Sequence, residues 1–369
     1  MTANSDSAST TSIQAAQIVL PCLDLAATLA FFVERLGFRL DMIMPADAPS
    51  TAVVSGYGTT LRLEASLRPA NLTLRLSFDP AAIPPTARPA HGPEGLLLEW
   101  IEADPALVIP PVIQAFVVSR RGDSDAWNAG RADMHYRDLI PGRLGGAFVA
   151  SHIRIPNGGP VPDYVHYHNI RFQLIFCRAG WVRVVYEDQG PPFVLNPGDC
   201  VLQPPGIRHR VLDASAGLEV IEIGCPALHE TRADHEMTLP TSHHSPQRLF
   251  GSQRFVRHIA AEATWEPWRL AGFEARDTGI AEATGRLASV CVVRRTESPI
   301  SAATVSPSRD IHSGELLFLY VLHGELDVTS DVFGRHQLQF DDSCVIPAGV
   351  GYDLRVSADA ELLEVKLPA

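Results

Sequence analysis

His166-Tyr167-His168 is the first place in the sequence where chemistry is concentrated. On an extended strand, residues two apart point to the same side, so both imidazoles would face one interior. Gln173 follows shortly after; simple alternation would turn it outward, and a bulge or bend is needed to bring it in. His209 ends a second stretch, which runs from Gly198 through the turn Pro204-Pro205-Gly206. Three converging imidazoles suit one divalent first-row ion: Fe(II), Zn(II), Ni(II), Cu(II) or Mn(II). Arg171 and Arg208 flank these residues, and each could clamp a carboxylate in a bidentate manner or lie as a surface charge. Tyr164, His152 and Arg154 precede the first histidine on strands that could line the mouth of the site.

Side chains so spaced need strands to hold them. From Gly145 onward, short apolar segments alternate with Gly, Pro and Asp turns, the pattern of barrels or sandwiches. One unit occurs twice: HYHNIRFQLIFCRAGWVRV aligns with DIHSGELLFLYVLHGELDV, and GDCVLQPPGIRH with DDSCVIPAGVGY. Gly180 then matches Gly324, and Pro204 matches Pro347. In the second copy Asp310 and His312 replace His166 and His168, Leu317 replaces Gln173, and Tyr352 replaces His209. That copy is expected to be structural. Residues 229–270, rich in His and Pro, are expected to link the two barrels. His229, Glu230, His235 and Glu236 there could serve as a lid acid or base, but a solvated loop is the simpler reading, as it is for His243 and His244. Residues 104–140 show no period and are expected to be a connector packed on the next domain.

The N-terminal part reads differently. Residues 1–14 form a polar tail, expected to be disordered. Residues 16–22 read as a strand and 24–37 as an amphipathic helix, with Asp24 as N-cap and Gly37 as its stop. FRLDMIM, STAVVSG and TTLRLEA follow as three strands, then NLTLRLSF and GLLLEWIE.

The spacing HxH, four residues, Gln173, six residues, Gly180, with Gly198, five residues, Pro204-Pro205-Gly206, two residues, His209, closely resembles the two motifs of the cupin family. The resemblance implies a jelly-roll barrel holding one metal through His166, His168 and His209. Cupins usually carry Glu where this chain has Gln173. Either the three histidines bind the metal alone, as in some thiol and diketone dioxygenases of the family, or Gln173 adds its carbonyl oxygen, as in some zinc-dependent polyketide cyclases. Residues 15–103 resemble the glyoxalase/bleomycin-resistance/dioxygenase (vicinal oxygen chelate) superfamily through IVLPCLDLAATLAFFVERLGFRLD and TTLRLEA. That likeness implies a βαβββ module, with Gln17, Glu64 and Glu99 near the places where relatives hold a metal. A structural or dimerising role is the expectation here, because no histidine stands on these strands.

The expected fold is therefore mainly β: a metal-binding cupin barrel over 141–228 and a degenerate one over 271–369, preceded by a small α+β domain. The expected function is that of a mononuclear metal enzyme, foremost a non-haem Fe(II) dioxygenase acting on a small, anionic, enolisable or aromatic substrate. Phe172, Leu174 and Val201 would keep water out. The alternatives are a non-redox Zn, Ni or Mn enzyme (isomerase, cyclase or lyase), or a barrel that binds a small molecule without catalysis. A net charge of −12 argues against nucleic acid as a partner. The six cysteines lack any CxxC pattern and read as buried, reduced thiols of a cytoplasmic protein. No apolar run suits a membrane span. Single glyoxalase-like modules and cupins both tend to pair, so a homo-oligomer is expected.

Overall fold

The computed structural model describes residues 13–35, 37–56, 58–66, 73–79, 81, 90, 97–103, 105–122, 127–296 and 309–368. The expected tail over 1–14 lies almost wholly outside them. Two compact units are present: residues 1–108 with 230–233, and residues 109–229 with 234–369.

In the first unit, strand Ile13–Cys22 leads into helix Leu25–Ala30, which widens into a π-helical turn over Phe31–Arg35. Asp24 caps the helix, its Oδ1 accepting from the Ala27 N–H at 2.9 Å. Gly37, at φ 72°, turns the chain out of it in the left-handed region. Leu25, Leu29, Phe32 and Val33 form the helix face that packs on Cys22, Ala52, Val54, Leu61 and Leu63 of the sheet. Strands Arg39–Met44, Thr51–Gly56 and Thr59–Ala65 make an antiparallel meander, and the last pairs in parallel with Ile13–Cys22. Thr73–Phe78 and Leu97–Glu102 extend the sheet beyond Ile13–Cys22, and Thr231–Ala233 joins its other edge beside Arg39–Met44. The β-α-β-β-β order read from the sequence is thus present. Among the expected acidic positions sits a guanidinium: Arg75 contacts Glu99 at 2.5 Å and Glu64 at 3.7 Å.

The second unit holds two barrels built to one plan. In the first, a seven-stranded antiparallel sheet runs Asn128–Ala129, His135–Asp138, Val149–Ile155, Leu218–Cys225, Phe172–Ala179, Cys200–Leu202, Val256–His258. Facing it are Phe193–Leu195, Val182–Tyr186, His209–Ala214 and His166–His168. The second barrel repeats the large sheet as Glu266–Pro267, Phe273–Asp277, Ser289–Arg295, Glu361–Leu367, Leu316–His323, Ser343–Val345, Val117–Ser119, against a three-stranded sheet of Gly334–Gln339, Glu325–Ser330 and Asp353–Val356.

The last strand of each large sheet is exchanged. Val117–Ser119 precedes the first barrel but pairs with Ser343–Val345 of the second, and Val256–His258 precedes the second but pairs with Cys200–Leu202 of the first. The segments expected as connector and linker are therefore corrected: both supply barrel strands, and 104–140 also supplies Asn128–Ala129 and His135–Asp138. Short strands with little apolar pattern derive their stability from the sheet edge that receives them, which local sequence does not reveal.

Period-two alternation divides the first barrel's residues between two cores. Phe172, Leu174, Phe176, Leu202, Ile221 and Ile223 pack against Phe318, Tyr320, Val345 and Leu363 in a layer between the two large sheets. Cys177, Val182, Val184, Val201 and Val220 fill the first barrel's own interior. Phe172 and Leu174 thus face the other barrel, not the site, whereas Val201 faces inward as expected. At roughly 1.5–3 kcal/mol for each buried large apolar side chain, the layer holds the barrels together as one body.

Candidate metal centre

His166 and His168 share a face of their short strand, and His209 lies directly opposite His166 in the antiparallel pairing. All three are buried, and one nitrogen from each lies within 4.8 Å of the other two. Ring centroids stand 4.2 Å apart for His166 and His209, and 5.3 Å for each other pair. The Nδ1 of His166 donates to the Tyr164 carbonyl at 2.8 Å, and that of His209 to the Ile207 carbonyl at 3.0 Å. Each bond assigns the proton to Nδ1 and leaves Nε2 as the acceptor; that of His166 meets Arg131 Nη2 at 2.7 Å, which a metal would displace. Burial drives all three rings toward the neutral form, His209 down to about 4 and the other two well below the usual histidine value. Neighbouring rings and the Arg131 cation add to this for His166 and His168. Neutral imidazole is the form that binds metal.

Gln173 joins this interior through a bend, one of the two devices expected for it. The strand breaks over Asn169–Arg171 and restarts at Phe172, which resets the alternation so that Gln173 shares the inward face with Ile175 and Cys177. Its Nε2 donates to Glu222 Oε1 at 2.6 Å, which orients the amide, since a carboxylate only accepts. Its carbonyl Oε1 is buried and accepts no hydrogen bond. An orphaned acceptor costs about 1–3 kcal/mol, and a cation is what it is suited to receive. Three neutral imidazoles and an unsatisfied carbonyl oxygen fit one divalent ion. His229 also stands close, its ring 5.4 Å from that of His168 and its Nδ1 bonded to the Pro226 carbonyl at 3.0 Å, although the sequence favoured a solvated loop there.

Arg131 was not legible as a site residue. It opens a short 3-10 turn, Arg131–Asp133, ahead of the strand His135–Asp138. Its side chain is 11% exposed; Nη1 donates to Asp163 Oδ1 at 2.7 Å and Nη2 lies 2.7 Å from His166 Nε2. Burial alone would loosen its proton, but Asp163, with Tyr136 and Tyr164, more than offsets this and the guanidinium stays charged. Asp163 also accepts from the Val211 N–H at 2.8 Å. Tyr164 completes this wall: its hydroxyl is buried without a partner, its ring lies 5.7 Å from that of His166, and burial raises its pKa.

Other expected site residues have different roles. Arg171 forks onto Glu315 of the second barrel at 2.6 and 3.1 Å. Arg208 pairs with Asp234 at 3.0 Å and lies over the Tyr167 ring. Both are committed to structural partners. His152 faces the layer between the barrels, bonding Glu219 at 3.1 Å and packing on Tyr320, while Arg154 stacks on Trp127. Neither lines the mouth, because alternation along Val149–Ile155 places His152 opposite the inward-facing Ile153. His235 lies beside Tyr164, and His243 and His244 are exposed. In the second barrel Asp310 is ion-paired with Arg269 and accepts from the Tyr352 hydroxyl, and His312 Nε2 bonds the Ile346 carbonyl. All six cysteines are free, and burial pushes the thiols of Cys177 and Cys344 up to about 12.

No protein-family model matches the sequence, and no curated protein matches it. Among solved structures, the chain is similar to the Ylba protein of E. coli, at 14% identity and a TM-score of 0.47, covering 71% of this chain and 94% of that one. It is also similar to the putative glyoxylate-induced protein of Pseudomonas aeruginosa, at 13% identity and 0.46, covering 72% and 92%. For the oxalate decarboxylase of Bacillus subtilis the values are 14% and 0.46, covering 72% and 78%. No described helix is long and apolar enough to cross a membrane.

Proposed function

We propose that the first barrel is a cupin that holds one divalent metal ion through His166, His168 and His209, and that the protein is a mononuclear metal enzyme acting on a small anionic substrate. The carrying observation is the buried triad, whose nitrogens converge within 4.8 Å. A divalent ion bound there supplies Lewis acidity and, as Fe(II), electrons for oxygen chemistry. Dioxygenation by Fe(II) is the reaction class we assign. The imidazoles and the amide bring no negative charge to the ion itself, and the Arg131 charge is met by Asp163, so a divalent ion held by neutral ligands favours an anionic substrate. Val201 and the ring of Tyr186, stacked 5.4 Å from that of His209, exclude water on the inward side. Tyr164 offers a buried hydroxyl that could donate to an oxygen atom of the substrate.

A second reading, non-redox chemistry with Zn, Ni or Mn, is supported by the orphaned Gln173 carbonyl, which would complete a fourth protein ligand. Elemental analysis of protein purified without added metal, beside H166A/H209A, separates the two. Near one iron per chain, lost in the variant, followed by oxygen uptake with diketones or dihydroxy-aromatics, supports the first. One zinc, nickel or manganese without oxygen uptake supports the second. No metal after anaerobic loading with Fe(II) refutes both.

We read the first unit as a glyoxalase-like module with a structural role, Arg75 occupying the space between Glu64 and Glu99 where relatives hold a metal. Self-association is the accompanying proposal, and light scattering tests it. The six free thiols support a reducing compartment such as the cytoplasm.

A further inference from the structure

The two barrels carry the same arginine. Ala129 pairs with His135 in the first barrel as Pro267 pairs with Glu274 in the second, and Arg131 and Arg269 each stand two residues beyond. The following turns close alike, the Gly130 N–H on the Met134 carbonyl at 2.9 Å and the Trp268 N–H on the Phe273 carbonyl at 3.0 Å. Both side chains reach the same place. Asp310 bridges to Tyr352 as His166 pairs with His209, so Asp310 occupies the position of the first ligand. Glu364 lies opposite Leu319 as Glu222 lies opposite Ile175.

The partners differ. Arg269 grips two carboxylates, Asp310 and, at 2.8 Å, Glu364. Arg131 grips one, Asp163, through Nη1. Its Nε is buried with no hydrogen-bond partner, and Nη2 faces His166 Nε2, the nitrogen a metal would claim. The Nε–H and one Nη2–H share an edge of the planar guanidinium, and that edge docks a carboxylate side-on. With a metal on His166, this edge loses the one acceptor it meets among the described residues. A donor pair so buried costs free energy until an anion meets it. The second barrel fills the corresponding place with its own carboxylates; the first leaves it for a ligand.

Resting on the metal-site reading, we propose that the substrate is a small carboxylate bearing a second oxygen on the adjacent carbon, a 2-oxo or 2-hydroxy acid, and that Arg131 docks its carboxylate on the Nε–Nη2 edge. A metal on His166 displaces Nη2 from the lone pair it now meets at 2.7 Å, while Nη1 keeps its bond to Asp163, so the freed edge borders the ion and a carboxylate held there lies beside it. Glu222, which could have filled the gap as Glu364 does, is instead turned to Gln173.

The test uses the full chain loaded with Co(II), whose visible absorption reports its ligands. Pyruvate is the probe; hydroxyacetone, a neutral analogue, is the control. In the wild type pyruvate shifts the spectrum at lower concentration than hydroxyacetone. R131Q keeps its Co(II) stoichiometry, loses pyruvate affinity by at least about tenfold and responds to hydroxyacetone as the wild type does. R131K, which keeps the charge beside Asp163 but not the fork, falls between and serves if R131Q does not fold. Equal pyruvate affinity in wild type and variants overturns the proposal, as does a wild type that does not prefer pyruvate. Failure of the wild type to bind Co(II) is a separate readout, and it removes the metal-site reading and the proposal together.

Discussion

Replacing Gln173 by glutamate tests whether the amide is held as described. Gln173 Nε2 meets Glu222 Oε1 at 2.6 Å in the interior, with Gln173 only 1% exposed. In Q173E two carboxyls would share that contact, and like charges so close do not both ionise. The variant would instead hold one proton between them, which also preserves a hydrogen bond. Holding a proton at pH 8 on a carboxyl of ordinary pKa about 4.3 costs roughly 5 kcal/mol, and at pH 5 about 1 kcal/mol. The introduced carboxyl has a raised folded-state pKa, so its penalty is small near the unfolded value and grows as pH rises through this window. At roughly 2–4 °C per kcal/mol, the metal-free variant should melt on the order of 10 °C below wild type at pH 8 and only a few degrees below at pH 5. Differential scanning fluorimetry of chelator-treated protein at the two pH values measures this. A constant difference, or none at pH 8, would mean that Gln173 does not face Glu222.

Saturating Co(II) or Zn(II) should raise the melting temperature of the wild type by roughly 5–10 °C at about a hundredfold excess over Kd, and should leave H209A unmoved; an equal rise in both would place the ion elsewhere. Gly180 sits at φ 71°, and a Cβ there would lie 2.3 Å from Ser215 Oγ and 3.0 Å from Leu218 Cα. G180A should therefore cost roughly 2 kcal/mol or more, read by urea denaturation, with G180A/S215A recovering only part because the backbone strain remains. The Glu219 carboxyl is held below its ordinary value by the His152 hydrogen bond, with Arg178 and Arg121 adding to it against burial. Its contribution is thus present above the ordinary carboxylate pKa and lost as pH falls through the depressed one. The melting-temperature gap between wild type and E219Q should be widest above the ordinary carboxylate pKa and narrow as pH falls below it, and a gap independent of pH would contradict this.

The residues that could hold a metal were legible because each depends on short-range geometry. Alternation put His166 and His168 on one face, and the Gly and Pro of two motifs marked the turns that bring His209 opposite them. The repeat announced a second barrel, and replacement of His166 by Asp310 and of His209 by Tyr352 announced that it would differ. Helix periodicity and its cap marked the N-terminal module. What needed the folded chain was pairing across distance. The break after His168 that turns Gln173 inward, the exchange of Val117–Ser119 for Val256–His258, and the commitment of Arg171 to Glu315 all depend on partners remote in sequence. Arg131 lies in a turn with no local pattern, and its meaning comes from Asp163 and His166 on one side and from Arg269 in the other barrel. Local propensity and period decide which segments are strands; the burial of a charge is decided only when another element supplies, or withholds, its partner.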